Sequence, residues 1–143
     1  MDVGSILKTK GSEVSTSESD TPVAEIARAL AQQKIGTIVI CGADDKPLGI
    51  VSERDLVRGL AEEGIALLEK PVSTYMTHKL QTCAPTDSVA RLMELMTSYR
   101  IRHLPVIEDA RLCGIVSIGD VVKARLDEIE AEAEALRTYV ATA

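Results

Sequence analysis

The 143-residue chain contains no phenylalanine, no tryptophan and only three tyrosines. Modules that bind single-stranded nucleic acid by stacking need aromatic platforms, and this sequence supplies few. The formal net charge is -6, so the phosphate-neutralising contribution to nucleic-acid affinity is missing as well. Nucleic acid is excluded as the expected partner. Apolar runs last only a few residues, far short of the roughly 20 that cross a bilayer. The start, Met1-Asp2-Val3-Gly4, has no apolar stretch behind a basic one. The expectation is a cytoplasmic chain with no membrane partner. Cys41, Cys83 and Cys113 form no Cys-x-x-Cys pattern, and His78 and His103 are the only imidazoles, so no metal is expected. There is no Gly-x-x-x-x-Gly-Lys-Ser/Thr loop, and neither histidine stands in a triad pattern. Nothing assigns a catalytic residue, and the chain reads as a non-enzyme.

What the sequence does have is a repeat. Val23-Ala24-Glu25-Ile26-Ala27 returns as Val89-Ala90-Arg91-Leu92-Met93, at a shift of 66 from Val23 to Val89. The same shift carries Ile35-Gly36-Thr37-Ile38 onto Ile101-Arg102-His103-Leu104. Leu48-Gly49-Ile50-Val51-Ser52 returns as Cys113-Gly114-Ile115-Val116-Ser117, one residue closer. A hairpin turn tolerates that lost residue.

Each repeat carries an apolar helical face at i, i+3, i+4, i+7: Val23, Ile26, Ala27, Leu30 and then Val89, Leu92, Met93, Met96. Thr21 with Pro22, and Asp87, are the expected N-caps. Gly36 is the expected left-handed end of the first helix. Arg102 stands in its place in the second, which should therefore end differently. The strand runs Thr37–Ile40 and Leu48–Ser52 bracket one turn, and Leu104–Ile107 and Leu112–Ser117 bracket another. The fold class is α/β (α+β): two β-α-β-β-α repeats, 1–68 and 69–143, packed sheet to sheet with pseudo-two-fold symmetry, since one repeat alone buries too little. From Val122 the positions Leu126, Ile129, Ala133, Leu136 and Val140 alternate spacings of four and three, a heptad seam suited to a second subunit.

The strand-to-helix junctions carry Ser52-Glu53-Arg54-Asp55 and Ser117-Ile118-Gly119-Asp120. Ser-x-x-Asp is an ordinary capping pattern. A carboxylate there can also accept hydrogen bonds from both hydroxyls of a ribose, while the helix N-terminus favours a phosphate.

The combination of Lys34–Ile40 with Gly49–Asp55, then Met76-Thr77, then Arg100–Val106 with Gly114–Asp120, resembles the cystathionine-β-synthase (CBS) domain pair, or Bateman module. The resemblance covers about residues 3–125 and is greatest to small stand-alone bacterial proteins. It implies AMP, ADP, ATP, NAD(H) or S-adenosylmethionine in clefts between the repeats, and a regulatory role. It assigns the ribose to Asp55 and Asp120, beside Ser52 and Ser117. It places Thr16 and Thr82 near adenine and ribose, and Ile38 and Leu104 along the base. Thr37, Met76, Pro105 and Gly119 complete the expected lining. Arg54, Arg100, Arg102 and His103 are the phosphate candidates, an arginine fork matching phosphate bidentately. Because Gly36-Thr37 is replaced by Arg102-His103, the two sites should differ in ligand or affinity, with a mononucleotide in one and NAD(H) in the other. The expected output is a homodimer signalling energy or redox state to a downstream protein. The alternative is a structural dimerisation scaffold with non-functional clefts.

Overall fold

In the computed structural model, which describes residues 1–142, ten regular elements follow one another. They are α1 (Val3–Lys10), β1 (Thr16–Ser17), α2 (Val23–Gln33), β2 (Thr37–Cys41), β3 (Pro47–Ser52), α3 (Glu53–Glu63), α4 (Val89–Tyr99), β4 (His103–Glu108), β5 (Arg111–Ser117) and α5 (Ile118–Thr142). Strand β1 runs parallel to β2, and β2 pairs antiparallel with β3 in the register Thr37↔Ser52 and Ile38↔Val51. Strands β4 and β5 pair likewise, and Cys83 makes a single parallel bridge to Val106 where the first repeat has β1. The expected β-α-β-β-α order is complete in the first repeat, and in the second its opening strand is reduced to that one bridge.

The chain forms two compact units, which cut across the sequence halves 1–68 and 69–143. One contains Glu13–Gln81 with the hairpin tip Ile107–Cys113. The other contains Met1–Ser12, Thr82–Val106 and the chain from Gly114 onward. The segment before each repeat therefore belongs to the opposite repeat's unit: α1 goes with the second and Pro71–Thr77 with the first. The glycines of the two Gly-Ile-Val-Ser runs make room for these segments. A Cβ on Gly49 would sit 2.8 Å from Met76 Sδ and 2.9 Å from Thr77 O, and one on Gly114 would sit 2.8 Å from Leu7 Cδ2.

Both cores are aliphatic, as the lack of aromatics requires. In the first unit Ile26, Leu30, Ile38, Ile40, Val51, Val72 and Met76 form one buried cluster. In the other, Val3, Leu92, Leu104, Val106, Val116 and Val121 are fully buried. Fully burying such a side chain is worth about 1.5–3 kcal/mol.

The helix ends correct three expectations. Thr21 does not cap α2: Pro22 holds the N-cap position with no side-chain bond. Backbone groups replace the cap, as Val23 N–H donates to Lys70 O (3.0 Å) and Val72 N–H to Thr21 O (2.8 Å). Ser88, not Asp87, caps α4 by accepting from Arg91 N–H (3.1 Å), while Asp87 accepts from Ala84 N–H (2.8 Å). The left-handed residues are Lys34 (φ 55°) and Arg100 (φ 53°), so the two helices end alike and neither uses Gly36 or Arg102. Each end is closed by the next N–H reaching back, Ile35 to Leu30 O and Ile101 to Met96 O, both at 3.1 Å.

Candidate functional site

Each repeat builds one mouth where its second strand turns into a helix. In the first, Ser52 N–H and Ser52 Oγ–H donate to Asp55 Oδ2 at 2.9 and 3.1 Å, and Asp55 N–H returns a bond to Ser52 Oγ at 3.3 Å. In the second, Ser117 N–H donates to Asp120 Oδ2 at 2.9 Å and Asp120 N–H to Ser117 Oγ at 3.2 Å. Both are reciprocal capping boxes. They leave Oδ1 of each carboxylate outside the cap. The wall opposite is tied in by one backbone bond per mouth, Glu53 N–H to Gly36 O (3.0 Å) and Ile118 N–H to Arg102 O (2.8 Å). Thr37 pairs directly with Ser52 across the strands.

The charges around the two carboxylates differ. Asp55 Oδ1 lies 3.6 Å from Arg58, three residues along its own helix. Asp120 Oδ2 lies 2.7 Å from the Lys10 ammonium, which also donates to Ile115 O at 3.0 Å. Burial pushes the Asp120 carboxyl up, but Lys10 and the Ser117 bonds outweigh it and hold it below the usual carboxylate range. Burial pushes the His103 imidazole down, and Lys10 and Arg102 push the same way against Asp120. The balance of these effects favours the neutral imidazole.

Among the expected residues, Thr37, Ser52 and Asp55 meet in the first mouth. Arg102, His103, Ser117 and Asp120 are brought together in the second. Gly119 lies on α5 beside the Ser117 hydroxyl. Thr16 is on β1 and exposed; Thr82 is exposed next to Cys83, which bridges Val106. Arg54 is exposed and makes no hydrogen bond or ion pair among the described residues. Arg100 is the exposed left-handed cap of α4. Ile38 and Leu104 are 0 % exposed, and Met76 and Pro105 are also buried. These four side chains belong to the buried cores.

Lys10 is the residue that sequence reasoning missed. A signal was present: Val3, Ile6, Leu7 and Lys10 follow i, i+3, i+4, i+7, so a charge occupies the fourth position of the face that α1 buries. Among the described residues, no group of three His, Cys, Asp or Glu could hold a metal ion. No helix among them is long and apolar enough to cross a membrane.

A duplicated α/β unit with a serine–aspartate pair at each strand-to-helix turn defines a class of tandem-repeat modules. The chain belongs to the CBS-domain family, whose model matches residues 6–62 and 72–127. It is similar to the crystal structure of a CBS-domain protein from Agrobacterium tumefaciens, with 46 % identity, TM-score 0.83, and 87 % of this chain and 99 % of that one covered. It is also similar to a CBS-domain protein from Pyrobaculum aerophilum complexed with AMP: 27 % identity, TM-score 0.75, 84 % and 89 % covered. A third likeness is to the CBS domain pair of the protein MJ0100 in complex with 5-methylthioadenosine and S-adenosylmethionine: 25 % identity, TM-score 0.78, 90 % and 98 % covered.

Proposed function

We propose that this protein is a non-catalytic sensor that binds adenosine-containing nucleotides (AMP, ADP, ATP or NAD(H)) at its two Ser-x-x-Asp mouths. The observation that carries this reading is the division of labour within each carboxylate. The cap engages Oδ2 of Asp55 and Asp120, and Oδ1, approached at Asp55 by the exposed Arg58, is left to accept ribose hydroxyls. A charge-assisted hydrogen bond of this kind contributes about 1.5–3 kcal/mol. The N-termini of α3 and α5 favour an anion beside it. The adenosine ligands named for the two ligand-bearing similar structures support the same chemistry. S-adenosylmethionine remains an alternative occupant of the first mouth.

Signalling through a homodimer is supported by α5. Val122, Leu126, Ile129, Leu136 and Val140 are all exposed along its seam. Ligand binding would act by favouring one dimer shape over another, for a downstream partner to read.

The capping boxes also favour a second reading, a dimerisation scaffold whose Ser-x-x-Asp pairs only cap helices. A thermal-shift panel separates the two. A ligand at a hundred times its Kd raises stability by about 2.7 kcal/mol. The sensor shifts its melting temperature with at least one of AMP, ATP, NAD(H) or S-adenosylmethionine; the scaffold shifts with none.

A further inference from the structure

The two mouths share their caps but not the group that meets the strand beside them. The carbonyls of Ile50 and Ile115 occupy equivalent places in the two Gly-Ile-Val-Ser runs. Ile50 O accepts from the backbone N–H of Thr77 at 2.8 Å. Ile115 O accepts instead from the Lys10 ammonium at 3.0 Å, and that same ammonium holds Asp120 at 2.7 Å. The segments responsible are themselves related, since Leu7 and Met76 fill the space over Gly114 and Gly49 respectively. The first continues as a helix to Lys10. The second breaks after Val72–Thr74 and pairs as backbone with β3.

The root of Lys10 is fixed. Val3 and Ile6 are buried, Gly4 N–H donates to Pro85 O at 2.9 Å, and Gly11 ends the helix with φ 97°. The head is not fixed: a four-carbon stem lets the ammonium move a few ångströms while α1 stays in place.

We propose that Lys10 makes the second mouth selective for phosphorylated adenosine ligands, by holding beside Asp120 a cation that a phosphate can engage. The ammonium holds Oδ2, so a ribose that takes the remaining Oδ1 of Asp120 brings its ligand's phosphate end beside this cation. A nucleotide offers a phosphate for it to pair with. A neutral nucleoside offers nothing, and a sulfonium ligand such as S-adenosylmethionine adds a second positive charge. The first mouth lacks this device. Arg58 approaches Asp55 Oδ1 at 3.6 Å but is well exposed, and no bond to a strand carbonyl anchors it among the described residues, so solvent screens it and leaves it free to swing away.

This inference rests on the proposed nucleotide binding, and one experiment separates the two. AMP and adenosine are titrated calorimetrically into Asp55→Asn, which leaves the second mouth to report, and into that variant combined with Lys10→Met or Lys10→Arg. The expected result for Asp55→Asn alone is a preference for AMP of about tenfold or more. Lys10→Met should bring the ratio close to one, by weakening AMP more than adenosine, and Lys10→Arg should keep most of the preference. An AMP-to-adenosine ratio unchanged by Lys10→Met overturns the inference, whichever way the two affinities move together. If Lys10→Met does not melt cooperatively, Lys10→Gln carries the same comparison. Undiminished AMP binding by Asp55→Asn/Asp120→Asn overturns the ribose reading itself, as does a wild-type protein that binds neither compound.

Discussion

The mouths at Asp55 and Asp120 are built from the same four-residue pattern and hold the same capping geometry, yet they meet different cations. Asp55 faces an arginine from its own helix, three residues away. Asp120 faces a lysine 110 residues earlier in the chain. Duplication has kept what is local, the cap, and has let what is long-range diverge. The difference arises in the segment before each repeat, which is helical to its end in one unit and a 3₁₀ turn followed by bridging backbone in the other. A repeat motif thus gives two chemically distinct surroundings while its serine and aspartate stay in place.

The largest effect in this comparison is expected from removing the carboxylates. Asp55→Ala should weaken AMP binding at the first mouth by about 1.5–3 kcal/mol, or tenfold to over a hundredfold. Asp120→Ala should cost less at the second, because Lys10, freed from the carboxylate, still pairs with the ligand's phosphate. Calorimetry resolving two sites tests this, and equal losses would erase the proposed asymmetry.

Next comes the packing beneath the mouths. A Cβ on Gly49 meets the backbone oxygen of Thr77, which cannot swing aside, whereas one on Gly114 meets only the tip of Leu7. Gly49→Ala should destabilise by about 1–3 kcal/mol, and Gly114→Ala by distinctly less. Urea melts of the two variants would rank them, and a reversed order would contradict the fold account.

Smaller still is the Lys10–Asp120 pair as a source of stability. Lys10 keeps 32 % and Asp120 23 % of side-chain exposure, so solvent screens the pair. Lys10→Met should lower stability by less than about 1 kcal/mol, read by the same melts.

The smallest effect is a titration. His103 stands below its ordinary pKa of 6.5, through burial first and then Lys10 and Arg102. The folded state therefore binds less proton than the unfolded chain just below pH 6.5, and this group's contribution to stability falls as pH drops through that window. Asp120, also held below its usual range, adds a loss of the same sign only at pH values below about 3.8. NMR titration of the His103 ring should show its pKa rising in Lys10→Met and falling further in Asp120→Asn. Movement in the opposite directions would mean that these charges do not face the ring.

Much of this was legible in the sequence because it is local. The strand expected at Thr37–Ile40 appears as Thr37–Cys41, and the Ser-x-x-Asp pairs open their helices as the spacing required. The helix ends were less legible. Gly36 looked like the left-handed residue, but Lys34 and Arg100 take that conformation because backbone bonds from Ile35 and Ile101 close each end there. Thr21 looked like a cap, but a partner segment some 50 residues on satisfies that terminus through Lys70 O. The complete burial of Ile38 and Leu104 was legible only as apolar character, since it depends on packing by residues distant in the chain. Lys10 was the hardest to see, since its partner is fixed only by the tertiary placement of α1.

The most direct test of the ribose–carboxylate contact compares AMP with its 2′,3′-dideoxy analogue on wild-type protein and on Asp55→Asn/Asp120→Asn. Loss of the two hydroxyls should weaken binding to wild type by tenfold or more, and should change nothing further once the carboxylates are gone. An equal loss from the hydroxyls in both proteins would show that they are recognised elsewhere.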